Sequence, residues 1–308
     1  MYESFFKNKV NVTNEITGDQ PVDQNTLQGT TSPGDTLWSV VLSEAIDATA
    51  KVLAPVKNTS YDVQEGLRYI PASAGEAKPN IQVLVITDAG TVDKDGTSDW
   101  KSNMAQKVVS VPLTRYSRSV GISMYDAMQG ATPKVASHIA AVVNKIKQEI
   151  VKDFATLLAT TSNEVEVSEV TPATVAHTVS AAFGEYGDVE SLVLTPANYA
   201  QLTPDSALSL KLTDGAYGIG GIFKTAGLPS GTEGIAYNKD AIATAFARPA
   251  WVDGMPGVEI YEFESEGIPF RLKVSCDADH NILYHTVDVL AGFAIANERH
   301  LAKVVIGG

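Results

Sequence analysis

Residues 61–125 predict a long β-hairpin that has too little neighbouring sequence to bury both of its faces. Two β-rich runs, NIQVLVIT and QKVVSVPLTRYSRSVGIS, flank a polar segment with two glycines and four aspartates. Pro112 lies inside the second run and predicts that this strand is bulged or lies at a sheet edge. An isolated two-stranded ribbon is only marginally stable in water, so we expect the hairpin to lie across another surface.

The segment after the hairpin predicts one amphipathic helix over residues 133–160. Thr132 is a capping residue type, Pro133 suits the first helical position, and apolar residues recur every three or four positions. The apolar positions are Val135, Ile139, Val142, Ile146, Ile150, Phe154 and Leu157. The opposite face carries Lys134, Lys145, Lys147, Gln148, Glu149 and Lys152. At about 1.5 Å per residue, this helix would be roughly 40 Å long.

The remaining segments predict a mixture of helices and strands. Residues 1–34 are polar and aperiodic, which is typical of an arm or a disordered tail. Residues 35–60 predict a half-buried helix that closes before Pro55. Further on, the buried strand ESLVLT runs into the short helix PANYAQL, and DAIATAF predicts an apolar helical piece. The C-terminal part predicts three or four strands joined by turns.

The composition excludes several classes of protein. Hydrophobic residues make up 44% of the 308 residues and charged residues 19%, so the chain can bury a sizeable core. The formal net charge of −13 excludes a strongly basic protein that coats nucleic acid. No segment has the apolar length of a membrane helix or the pattern of a signal peptide, so we expect a soluble protein made in a cytoplasm. The single cysteine excludes intrachain disulfides.

No local motif predicts a catalytic, cofactor or metal site. The glycine-rich stretch at 218–221 lacks the lysine spacing of a phosphate loop, and Gly121-Ile122-Ser123 lacks the final glycine of a nucleophile elbow. This absence favours a structural or assembly protein over an enzyme.

Two groups of polar residues are nevertheless candidates for a metal site or for a charged sheet surface. Side chains at a predicted turn could hold a metal ion if the turn gathered them, although a solvated strand turn is the favoured interpretation. These are Asp277, Asp279, His280 and His285. Three alternating carboxylates without a partner cation predict a solvated or subunit-facing sheet surface. These are Glu262, Glu264 and Glu266.

The order of these elements resembles that of the major capsid proteins of tailed bacteriophages with the HK97-type fold. Four stretches carry the resemblance in the same order along the chain. They are TRYSRSVGISMYDAM, VLTPANYAQL, GIFKTAGLPSGTEGIAYNKDAIATAF and AGFAIANERHLAKVVI. The resemblance covers nearly the whole chain and is one of organisation more than of any single motif.

The resemblance implies an α+β fold with an N-terminal arm, an extended β-hairpin loop, a long spine helix, and peripheral and axial domains. The implied divisions are an arm at 1–34, an N-terminal helix at 35–60, an extended loop at 61–125, a peripheral domain at 126–175 and 258–290 with the spine helix at 133–160, and an axial domain at 176–257 and 291–308.

The resemblance also implies a function. The chain would assemble through hexamers and pentamers into the icosahedral head that encloses phage double-stranded DNA, which it would contact non-specifically. A separate scaffolding protein and a portal would be partners, with no cofactor, enzymatic activity or membrane contact. The protein would be synthesised in the host cytoplasm and end in the virion.

Four residues in or near the hairpin are candidate subunit-interface residues: Trp100, Lys101, Arg115 and Arg118. The two arginines lie near the base of the hairpin, where acidic groups on a neighbour could pair with them. A solvated edge-strand role is the alternative for both. Lys94 and Lys101 lie in the hairpin tip, but no surrounding motif matches the isopeptide crosslinks of some family members, so we predict no crosslinking.

Two other functions are also compatible with the sequence. An encapsulin-type nanocompartment shell protein would share the fold, but its cargo groove should include an N-terminal helix, whereas this chain begins with a polar arm. A soluble enzyme with a dispersed active site would form a small, discrete oligomer. Shell formation would exclude the enzyme.

Overall fold

The computed structural model describes residues 37–57, 61–63, 69–70, 80–88, 105–123, 125, 132–171, 174, 178–183, 189–202, 219–249 and 258–307. The predicted arm at 1–34 lies outside these residues. The chain divides into two compact units. The first comprises 1–51, 115–148 and 246–290, and the second comprises 52–114, 149–245 and 291–308. Within the described ranges, no helix combines the length and apolar character that crossing a membrane requires.

The described elements mix helices and strands, as predicted. The helices are α1 (Leu37–Asp47), α2 (Ala54–Lys57), α3 (Thr132–Leu158), α4 (Ser180–Ala182) and α5 (Pro196–Gln201). The strands are β1 (Tyr61–Val63), β2 (Tyr69–Ile70), β3 (Asn80–Asp88), β4 (Ala105–Ser123), β5 (Glu164–Val167), β6 (Ser191–Leu194), β7 (Gly221–Lys224), β8 (Gly234–Tyr237), β9 (Ile242–Ala247), β10 (Val258–Ser265), β11 (Ile268–Asp277), β12 (Ile282–Ile295) and β13 (Leu301–Ile306).

These strands form two sheets. An eight-stranded sheet has the order β1-β9-β12-β4-β3-β2, with β11 paired to β12 and β10 paired to β11. A five-stranded sheet in the second unit has the order β5-β13-β8-β6-β7. In this smaller sheet, β13 runs parallel to β5 and β6 parallel to β7, whereas β8 runs antiparallel to both β6 and β13.

The predicted hairpin is formed by β3 and β4, which pair antiparallel. The prediction that Pro112 makes the second strand bulged or peripheral is wrong, because β4 lies between β3 and β12. The irregularity falls in β3 instead, between Ile86 and Asp88. Pro112 is tolerated because its partner, Asn80, is the first residue of β3, so pairing with that strand ends there.

The predicted long helix is α3, and its first and last parts belong to different units. Its apolar face is buried, with Ile139 and Ile150 fully inaccessible. Near the C-terminal end, Leu158 is buried in place of the predicted Leu157. The helix therefore keeps the predicted periodicity over nearly its whole length.

The prediction for the face opposite this apolar stripe is wrong at Lys147, which is fully buried. Its Nζ lies 2.9 Å from Glu266 Oε2 and donates to the Ala50 carbonyl at 3.0 Å. The chain that follows α1 covers this part of the helix, since the Ala50 N–H donates to Asn144 Oδ1 at 2.8 Å. Three segments of the first unit thus meet at one lysine.

One predicted helix is shorter than expected, and another is a strand. The N-terminal helix ends at Asp47, and Pro55 is instead the second residue of the separate helix α2, where a proline is tolerated in the first turn. The run DAIATAF forms a short 3₁₀ turn and the strand β9, whose residues are all buried. A short, fully apolar run does not distinguish a buried strand from a helix by its periodicity.

Two other predictions of local structure are confirmed. Thr195 caps α5 by accepting the N–H of Asn198, and Pro196 is the first helical residue. Four C-terminal strands, β10 to β13, follow with turns at 266–267 and 278–281. Glu266, Gly267 and Asn281 have positive φ angles there, which the tight turns require.

Candidate subunit-interface surfaces

The hairpin strands β3 and β4 bury one face in the second unit and expose the other. Alternate side chains are buried: Ile81, Val83 and Val85 on β3, and Val109, Val111 and Leu113 on β4. The intervening residues point to the opposite face, as strand geometry dictates. The structure thus divides the hairpin into a core face and an outer face, which the sequence did not distinguish.

The outer face of the hairpin carries an apolar pair. Leu84 and Val108 are directly opposite each other in the antiparallel register and are 49% and 59% exposed. Polar residues lie beside them, with Gln82 opposite Ser110. We call Leu84 and Val108 the outer-face pair. Covering two adjacent exposed aliphatic side chains with another surface is favourable, because it removes apolar area from water.

Arg115, a predicted interface residue, forms an ion pair within the first unit. Its NH2 atom lies 2.5 Å from Asp288 Oδ2. Asp288 is 1% exposed and also binds Arg271, which is 3% exposed. The Arg271 contact is bidentate, with Nε donating to Oδ1 at 3.0 Å and NH2 donating to Oδ2 at 2.9 Å. We call these three residues the Arg115 triad.

The other three predicted interface residues differ in their positions. Arg118 is exposed on β4, three residues beyond Arg115 and therefore on the opposite face of the strand. Trp100 and Lys101 lie outside the described residues, and so does Lys94. Of the four candidates, the structure describes only the two arginines, and they lie on opposite faces of β4.

The three alternating carboxylates do not form one solvated face. Arg248 NH1 lies 3.0 Å from Glu262 Oε2, and its NH2 lies 4.0 Å from Glu264 Oε1, so the predicted absence of a cation is wrong. Strand β10 ends at Ser265, so Glu266 does not continue its alternation. The Glu266 carboxylate instead binds the buried Lys147.

The four residues of the metal-site alternative do not assemble into a ligand set. Asp277 Oδ1 accepts the backbone N–H groups of Asp279 and His280, and Asp277 Oδ2 lies 2.9 Å from His280 Nδ1. The hydrogen bond from the His280 side chain lowers the pKa of Asp277. His285 is fully buried within β12. In the part of the chain that the structure describes, no three His, Cys, Asp or Glu side chains are grouped so as to hold a metal ion.

The buried His285 predicts a loss of stability in mild acid. Burial, with a smaller contribution from the charge of His138, lowers the pKa of His285 to about 4 from its usual 6.5. Between these values the unfolded chain binds a proton that the folded chain does not, so stability falls as the pH falls from 6.5 towards 4. The expected loss is about 3 kcal/mol. Urea unfolding of the wild type and of His285→Leu across this range measures it.

His285→Leu should remove this contribution, so its unfolding free energy should depend less on pH than that of the wild type. Other groups that titrate in the same range are present in both proteins and cancel in the difference. Parallel pH profiles for the two proteins would contradict the assignment.

Comparison with known proteins identifies relatives by structure alone. No protein-family model and no curated protein matches the sequence. The capsid structure of the cyanophage P-SCSP1u superposes with a TM-score of 0.50 and 12% identity, covering 79% of this chain and 86% of that chain. A chain from Gordonia phage Cozz has a TM-score of 0.50 and 8% identity, covering 84% and 88%. The holo-SrpI encapsulin complex from Synechococcus elongatus gives 0.49 and 11%, covering 78% and 85%.

At identities of 12% and 8%, the two phage structures establish the fold of this chain but not its function. Each match covers more than three quarters of this chain, so the likeness extends well beyond a single motif. The resemblance to the capsid proteins of tailed phages is thereby confirmed at the level of the fold, and this chain has an HK97-like capsid fold.

Proposed function

We propose that this chain is the major capsid protein of a tailed bacteriophage, a structural protein that is not an enzyme. It assembles through hexamers and pentamers into an icosahedral head that encloses double-stranded DNA. The single observation that carries the proposal, beyond the fold, is the exposed outer-face pair on a hairpin whose other face is already buried. A repeated contact of this kind lets many weak interactions close a shell.

The proposed divisions of the chain follow the capsid fold. Residues 1–34 act as an arm that orders on assembly, and residues 61–125 form the extended loop that lies across an adjacent subunit. The spine helix at 133–160 belongs to the peripheral domain, and the region 176–257 with 291–308 forms the axial domain around capsomer centres. Trp100, Lys101, Arg115 and Arg118 are proposed interface residues of the loop and its base.

The proposed partners are further copies of this chain, a separate scaffolding protein, a portal and the packaged DNA. The acidic balance of the chain, −13, suits non-specific contact with DNA, because a negative lining does not hold the duplex in place. The proposed destination is the virion, after synthesis in the host cytoplasm.

Light scattering with electron microscopy of the same purified fraction tests this function, with and without co-expressed neighbouring phage genes. We expect closed shells, or hexameric and pentameric rings, under at least one condition. Shells that fill with DNA support a phage head, whereas shells that fill with a protein cargo would indicate a nanocompartment. A stable monomer or dimer under every condition would contradict shell formation and favour an enzyme with a dispersed site.

A further inference from the structure

The Arg115 triad carries more positive charge than its single carboxylate can neutralise. Arg271 alone satisfies the charge of Asp288, through two parallel hydrogen bonds in a buried site. Arg271 NH1 also donates to the Pro249 carbonyl at 2.5 Å, which fixes the guanidinium on a third side. Arg115 then adds a second guanidinium to the same Asp288 oxygen, Oδ2. The triad therefore has a net positive charge.

This surplus charge lies at the surface and has a fixed position. The Arg115 side chain is 55% exposed, while its partner oxygen is buried. A free arginine loses rotamer freedom when it binds, and that loss weakens most surface ion pairs. Here the contact with Asp288 already restricts the side chain, so a second partner binds at a smaller entropic cost. The remaining N–H donors of the planar guanidinium match a carboxylate.

We propose that the Arg115 triad binds a carboxylate of a neighbouring copy of this chain during shell assembly. This inference rests on the proposed function and names the chemistry of one of its contacts. Charge complementarity identifies the occupant, because the chain has 36 acidic against 23 basic residues and a second copy therefore offers mainly carboxylates. Arg115 makes the contact, whereas Asp288 and Arg271 are positioning residues. The same net charge repels DNA, which makes a DNA phosphate the less favoured occupant.

The test is the rate of shell assembly of the full chain, followed by light scattering at several salt concentrations, for wild type, Arg115→Gln and Lys51→Gln. Lys51 is the control because it is an exposed cation of the same unit and is not among the proposed interface residues. Both substitutions affect exposed side chains, and circular dichroism checks that each variant is folded. Binding of short duplex DNA to each variant is measured in parallel.

We expect Arg115→Gln to slow assembly about tenfold and to weaken its dependence on salt, because an interfacial charge affects mainly the association rate. Lys51→Gln should change the rate less than twofold. Equal effects of the two substitutions, or no effect of Arg115→Gln, would overturn the proposal. Normal assembly of Arg115→Gln with weaker DNA binding would also overturn it and would assign Arg115 to phosphate.

Failure of this proposal is distinguishable from failure of the proposed function. If the wild type forms shells and Arg115→Gln forms them equally fast, only the role of the triad is wrong. If the wild type forms no shells under any condition, the proposed function is wrong, and the triad proposal is overturned with it.

Discussion

Replacing Leu84 by glutamate and Val108 by lysine should give a folded subunit that no longer closes into shells. The two positions face each other across β3 and β4, so the new side chains can form a cross-strand ion pair that preserves the hairpin. In the wild type, covering each half-exposed aliphatic side chain contributes about 1 kcal/mol per contact. In the double variant, covering positions 84 and 108 on the outer face removes two charges from water at a cost of several kcal/mol.

The expected result is a loss of shell yield on the order of 100-fold at wild-type assembly concentration, since a few kcal/mol per contact changes an association constant by that factor. Sedimentation velocity and electron microscopy measure the yield, and thermal unfolding monitored by circular dichroism checks the fold. Ile306→Glu is the matched control, because Ile306 is also an aliphatic strand residue in the second unit and is 47% exposed.

Shells formed by the double variant at wild-type yield would show that the outer face of the hairpin stays uncovered in the assembly. Equal losses for the double variant and Ile306→Glu would show a general effect of surface charge. Either result would contradict the specific role of the outer-face pair.

The periodicity of the sequence was sufficient to predict the long helix and the hairpin. Along α3, the spacing of Val135, Ile139 and Val142 matches the helical repeat, and burial follows it. In the hairpin, alternation from Ile81 to Val85 likewise predicts the strand. Both patterns are local, because each depends on which residues share a face of one element.

The errors arise where tertiary contacts override the local pattern. Lys147 has the sequence context of a solvated helix position, and its burial depends on Ala50 and Glu266, which are distant in sequence. The outer-face pair is likewise defined only by the register of β3 against β4. No spacing rule within a single element contains this information, so the sequence indicated the hairpin as a candidate interface region but did not indicate the outer-face pair.

Removing the charge of Asp288 should cause a large loss of stability in the first unit. Asp288→Asn removes the carboxylate that pairs with the buried Arg271, and breaking a buried ion pair in this way costs about 3 to 5 kcal/mol. The matched control is Glu262→Gln, which breaks an arginine–carboxylate pair whose side chains are 23% and 49% exposed. That change should cost at most about 1 kcal/mol. Urea unfolding at neutral pH measures both free energies, and equal values would contradict a stabilising role for the triad.

A compensating pair of substitutions separates the two roles of the triad. Arg271→Met combined with Asp288→Leu replaces the buried ions by apolar side chains of similar size, which is often neutral or stabilising. At least half of the stability lost in Asp288→Asn should therefore return, although the Pro249 carbonyl loses its donor. Arg115 would still be present but no longer held by Asp288. If the triad positions Arg115 for a neighbouring carboxylate, this stable variant should assemble as slowly as Arg115→Gln, whereas wild-type assembly would show that the position of Arg115 does not matter.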